Sequence, residues 1–68
     1  MALPSAVDDA FTKVRHAADA LGKAHAESEA ARRSTDEDRM KKATNDVQRA
    51  ARELAMRARQ LEETAKKV

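Results

Sequence analysis

Large aliphatic side chains recur every seven residues along this chain, with alanines between them. The first series is Val7, Val14 and Leu21, and the second is Met40, Val47, Leu54, Leu61 and Val68. Apolar residues at this spacing lie on one side of an α-helix, and a second row three positions later completes an apolar stripe. The pattern therefore predicts two long amphipathic helices.

The two series are out of phase with each other. Extending the first series forward leads to Ser28, Thr35 and Lys42, whereas the second series begins at Met40. A single helix would keep one phase, so we expect the chain to turn between residues 28 and 40. One bent continuous helix is the alternative.

Helix-capping residues place the turn more closely. Ser34 and Thr35 both suit the N-cap of a helix, and an acidic residue follows each of them three positions later, as in a capping box. We therefore predict one domain over residues 1–68, with helices over about residues 6–33 and 36–67 and this Ser-Thr pair as the turn.

A short connection makes two helices pack antiparallel, so the predicted fold class is all-α, an antiparallel two-helix hairpin. Alanines in alternate layers let the helix backbones approach closely. Two helices cannot surround their own seam, and a chain of 68 residues is small for an independent core. We therefore expect dimerisation into a four-helix bundle. The expected self-association seam comprises Val7, Ala10, Phe11, Val14, Ala17, Leu21, Ala24, Met40, Val47, Ala51, Leu54, Ala58 and Leu61.

The small residues of the second helix change their spacing from the large ones. Ala43 and Ala50 come three residues after a large residue, whereas Ala51, Ala58 and Ala65 come four residues after one. A nearly straight helix drifts in this way against a strict seven-residue repeat. The change implies either weak supercoiling or a different partner along the helix.

Gly22 stands in the middle of the first predicted helix, near several alanines outside the seam. Glycine inside a helix costs about 1 kcal/mol relative to alanine. A close approach by a partner helix would account for it. The other interpretation is a glycine that is simply tolerated at an exposed position.

Charge and composition exclude several classes of protein. The chain has 14 basic and 12 acidic residues, which is too balanced for a nucleic-acid-binding tail or an acidic solvating segment. There is no cysteine, hence no disulfide or thiol chemistry. No stretch is apolar enough for a membrane span or a signal peptide, so we expect a cytoplasmic protein without membrane association.

The residues that usually carry catalysis do not form a recognisable motif. His16 and His25 are nine positions apart and fall on different faces of a helix. His25 can share a face with Glu29, which is more typical of a helical salt bridge than of a metal site. We therefore expect no enzymatic activity, no cofactor and no metal, although symmetry in a dimer leaves a shared metal site open.

Basic residues of the second helix suggest one further hypothesis. They lie on the side away from the apolar stripe and could follow the phosphates of a nucleic acid. The chain offers no aromatic residue on this helix to stack on bases, and acidic residues are interspersed. This basic stripe comprises Lys42, Arg49, Arg52, Arg59 and Lys66.

The sequence thus favours a non-enzymatic protein-protein interaction or assembly module that forms a homodimer. A small nucleic-acid-binding regulator that uses the basic stripe is one alternative. The other is one subunit of a hetero-complex, such as an adaptor, an antitoxin or a chaperone, whose seam is completed by a different protein.

Overall fold

The computed structural model describes residues 5–67, which form an antiparallel pair of α-helices. Helix α1 spans Ser5–Arg32 and helix α2 spans Glu37–Lys66, and the two pack against each other. The predicted all-α helical hairpin is confirmed, and a single bent helix is excluded because the chain reverses between the helices. The last large residue of the second series, Val68, lies outside the described residues.

Asp36, rather than either residue of the expected Ser-Thr pair, caps the start of α2. Its carboxylate oxygen Oδ1 accepts the backbone N–H groups of Asp38 at 3.0 Å and Arg39 at 3.2 Å. The hydroxyl oxygen of Ser34 accepts the N–H of Asp36 at 3.0 Å and so holds the turn itself. A carboxylate at this place also meets the positive end of the helix dipole.

The turn contains no glycine because its backbone never needs one. The N–H groups of Arg33 and Ser34 donate to the carbonyls of Ala30 and Ala31, at 3.2 and 3.0 Å, so α1 ends by tightening its last turn. No residue in the part of the chain that the structure describes has a positive φ. The reversal is therefore made from ordinary right-handed and extended conformations.

The inward-facing positions of the two helices match level by level. Counted from the turn, those of α1 are residues 31, 28, 24, 21, 17, 14, 10 and 7, and those of α2 are residues 40, 43, 47, 50, 54, 57, 61 and 64; all are buried or half-buried. Both series alternate steps of three and four residues. Each inward residue of α1 therefore lies at the same level as one residue of α2.

Most levels pair a large side chain with a small one. Counted in this way, Leu21 falls at the level of Ala50, and Leu54 falls at the level of Ala17, which is only 6% exposed and lines a groove with Glu53 and Arg57. Because interaxial distance depends on the side chains at the contact, this alternation allows close and even packing along the hairpin. Ala17, Ala31 and Ala43 are the buried residues of the described chain, and no large side chain there is fully buried.

The expected shift of small residues in α2 does not occur within the hairpin. Ala51 and Ala58, which we expected in the seam, are exposed, and the inward positions beside them are Ala50 and Arg57. The large residues keep α2 in the same phase to its end, so residues four positions after them lie beside the seam. Phe11, also expected in the seam, is 51% exposed for the same reason.

Candidate interaction surfaces

One face of the hairpin is polar. On it, the guanidinium Nε of Arg39 donates to a carboxylate oxygen of Glu27 at 2.9 Å, across from α2 to α1. Towards the chain termini, Lys13 of α1 and Glu53 of α2 line the same shallow groove. All four residues directly precede an inward-facing position, so this row marks the same face on both helices. We call it the polar face.

The ion pair on the polar face shifts the pKa of both of its members. The hydrogen bond and the charge of Arg39 lower the pKa of the Glu27 carboxyl below its ordinary value. In turn, Glu27 raises the pKa of the Arg39 guanidinium. Both side chains are about half exposed, so water and salt screen the attraction. The pair therefore aligns the helices near the turn more than it stabilises them.

Arg57 brings a charged group to the seam without burying the charge. It occupies an inward-facing position at the level of Val14, and its side chain is 30% exposed. Its Nε donates to Glu53 at 2.9 Å and its Nη1 donates to Gln60 at 3.1 Å, both within α2. The aliphatic stem thus fills the seam while the guanidinium reaches the polar face.

The opposite face of the hairpin is apolar along much of its length. It carries the residues that stand four positions after the large aliphatic ones, and because the polar row marks one side of both helices, this row lies on the other side. We call it the Phe11 face. Its members are Phe11, Ala18 and His25 of α1 and Thr44, Ala51, Ala58 and Ala65 of α2, all exposed.

The Phe11 face changes character along the hairpin. Near the open end, opposite the turn, it carries Phe11, Ala58 and Ala65. Near the turn it carries His25 and Thr44. The half-buried valines, leucines and methionine of the seam lie beneath this face. Each of them is on the same side of its helix as the member of the Phe11 face that follows it four positions later. The most apolar part of the surface is therefore at the open end.

His25 lies next to two charged side chains near the end of α1. Its Nε2 lies 3.9 Å from a carboxylate oxygen of Glu29, which also lies 3.7 Å from a guanidinium nitrogen of Arg32. Residues 5–67 contain no group of three or more metal-ligating side chains. Within one hairpin, His25 lies beside Glu29, one helical turn away on the surface of α1.

The five residues of the basic stripe are all exposed, as the sequence suggested. Lys66 pairs with Glu62 at 3.2 Å. The other four, Lys42, Arg49, Arg52 and Arg59, take part in no ion pair with the described residues. Met56, which is 43% exposed, lies on the same side of α2. The stripe is therefore a solvated cationic surface with one apolar side chain beside it.

The residues expected in the self-association seam fall into two groups. Ten of them face the other helix of the same hairpin: Val7, Ala10, Val14, Ala17, Leu21, Ala24, Met40, Val47, Leu54 and Leu61. The remaining three, Phe11, Ala51 and Ala58, lie together on the Phe11 face. Two buried residues near the turn, Ala31 and Ala43, lie outside this expected set, although each stands three positions after a position of the seven-residue rows, the spacing that marks an inward-facing position.

No protein-family model, curated protein or solved structure matches this chain.

In the described part of the chain, neither helix has the length of apolar sequence needed to cross a membrane.

Proposed function

We propose that this chain is a non-enzymatic protein-protein interaction or assembly module that associates with itself. The observation that carries the proposal is the exposure of its apolar residues. Phe11 is 51% exposed, and within residues 5–67 no large aliphatic side chain is fully buried. A hairpin with this surface gains further apolar burial by association, at roughly 25 cal/mol for each Å² removed from water.

Size supports the same conclusion. The chain has a mass of 7.5 kDa, and domains this small bury a smaller share of their surface than larger ones. Two antiparallel helices leave one side of every seam residue without a neighbour. A partner that supplies two more helices would complete the core of a four-helix bundle, in which the inward stripe of each helix is covered on both sides.

Mass and melting measurements at several concentrations test self-association. Sedimentation equilibrium should give twice the chain mass, and the melting temperature followed by circular dichroism should rise with concentration. A folded chain of single mass whose melting temperature is independent of concentration would contradict the proposal. A pure chain that is a partly unfolded monomer would instead support the hetero-complex subunit.

The basic stripe supports a second candidate function, a nucleic-acid-binding regulator. The specific observation is that four exposed cations on one helix have no acidic partner in the described chain. Because such binding releases counterions, the affinity for duplex DNA or RNA should fall steeply between low and moderate salt. Reversing Arg52 and Arg59 to Glu should abolish binding and leave helicity unchanged. Binding that survives the reversal would rule out the stripe.

A further inference from the structure

The accessible area of the chain indicates how large a partner could cover the Phe11 face. The chain exposes 5487 Å² of accessible surface, whereas a compact protein of its mass exposes about 4,200 Å². The difference, about 1,300 Å², exceeds the roughly 800 Å² that each partner contributes to a standard interface. Two helices about 42 Å long and about 10 Å wide each present a face of about 800 Å². One partner of the same length and width would therefore cover it.

The form of the Phe11 face fits a second pair of helices. The exposed row of this face and the half-buried large residues beneath that row form ridges at helical spacing. Ridges of this kind pack into the grooves of other helices. The small residues Ala18, Ala51 and Ala58 lie along its length, and Phe11 is its one large apolar side chain. A helical partner can approach closely at the alanines.

The charges around the Phe11 face are compatible with an identical copy. Arg15, Lys41 and Glu62 stand one helical turn from members of the face, so its border carries both signs. The net charge of the chain is only +2, and long-range repulsion between copies is therefore weak. Two copies can meet here without bringing a surface of one sign against itself.

The uneven apolar character of the face distinguishes the two possible arrangements of a symmetric pair. With both turns at the same end, α1 of each copy packs over α2 of the other, and Phe11 lies at the level of Ala58 of the second copy. With the turns at opposite ends, α1 packs over α1, and Phe11 comes near His25 of the second copy. Apolar burial contributes more to the free energy of association than ion pairs do, because exposed ion pairs add little. The arrangement that places Phe11 against alanine rather than near histidine gains more from apolar contact. The first arrangement is therefore favoured.

We infer that a second copy of this chain covers the Phe11 face, packed face to face with both turns at the same end. The polar face and the basic stripe of each copy remain in contact with water. This inference rests on the proposed self-association and specifies the surface and the sense of packing. Each Phe11 is then enclosed by the alanines of the opposite α2.

Two matched substitutions on opposite faces test the surface. Ala58→Lys places a charge on the Phe11 face, where burial without a partner should weaken the dimer at least about a hundredfold. Ala20→Lys places the same charge on the polar face, near Glu53, and should leave the dimer intact. Both positions are exposed alanines within helices, so the hairpin tolerates lysine at either one.

The outcomes separate this inference from the proposed function. A wild-type chain that is monomeric overturns both. A wild-type dimer that survives Ala58→Lys, or that dissociates on Ala20→Lys, overturns the assignment of the face and leaves self-association standing. Dissociation by Ala58→Lys alone, followed by sedimentation, supports the assignment.

A single cysteine in the turn tests the sense of packing. The native chain has no cysteine, so Thr35→Cys can be labelled at one place only. Energy transfer between the dyes of a dimer should report a separation on the order of 20 Å if the turns share an end. Turns at opposite ends would be on the order of 40 Å apart, the length of a helix of this size, and such a distance would overturn the arrangement. Lys67→Cys, at the open end, should give the same short distance as the turn.

Discussion

Ala17 and Leu54 both face the seam and, counted from the turn, share one level of the hairpin; Ala17 lines a groove with Glu53 and Arg57, which flank Leu54. This relationship recurs at neighbouring levels with the helices exchanged, as Leu21 and Ala50 show. The alternation keeps the two helix axes at a similar distance throughout. It also means that most levels rely on a single large side chain for their apolar burial.

Leu54→Ala should therefore lower the free energy of unfolding by about 2 kcal/mol, since it leaves an alanine facing Ala17 and a cavity between the helices. Met56→Ala is the matched control, because Met56 is on the same helix, two residues away, and 43% exposed. It should change stability by less than about 0.5 kcal/mol. Urea denaturation followed by circular dichroism measures both. Equal losses would show that Leu54 is not a seam residue.

Asp36→Ala should cost about 1 kcal/mol, because the first backbone N–H groups of α2 lose the carboxylate that accepts them. Thr35→Ala is the control. Thr35 is exposed, and its side chain forms no hydrogen bond within residues 5–67. The melting temperature should fall for Asp36→Ala and stay nearly unchanged for Thr35→Ala. If the threonine change were the more damaging, the cap would have been assigned to the wrong residue.

The ion pair between Glu27 and Arg39 should make the stability of the hairpin depend on pH. The pKa of Glu27 is lowered in the folded state, so its contribution is present above the ordinary carboxyl pKa and is lost as the pH falls through the folded value. Glu27→Gln should therefore lower the melting temperature slightly at neutral pH and have no effect in strong acid. High salt should also reduce the difference. A difference that persists in strong acid would point to packing instead.

Gly22→Ala should stabilise the isolated hairpin by about 0.5–1 kcal/mol, because alanine has the higher helix propensity and restricts the unfolded chain. A Cβ added at Gly22 meets nothing within 4 Å, so the hairpin itself has room for it. The experiment requires dilute protein, at which a dimer dissociates. A loss of stability that appears only at high concentration would show that a partner approaches the glycine closely.

The hairpin could be predicted from the sequence because its large residues lie in regular rows. Met40 breaks the phase of the first series, and this alone places the reversal between the helices. The rows also identified ten of the residues that face the other helix. Regular spacing of large side chains thus determines both the number of helices and the side on which they meet.

Other features could not be predicted because several residue types satisfy them equally well. Arg57 looks like a surface residue in the sequence, and only its long stem and its bonds to Glu53 and Gln60 let it occupy an inward position. Ala51 and Ala58 look like seam residues because alanine is compatible with either side of a helix. The phase of the neighbouring leucines, which extends over the whole of α2, decides between these positions.

The level-by-level match of the two helices has a consequence for folding. Ala31 and Met40, at the level nearest the turn, are close in sequence, whereas Val7 and Thr64, at the open end, are separated by most of the chain. Closing a short loop costs less entropy than closing a long one. We expect the hairpin to close from the turn towards the termini, so that amide hydrogens near the turn exchange most slowly and those at the open end exchange first.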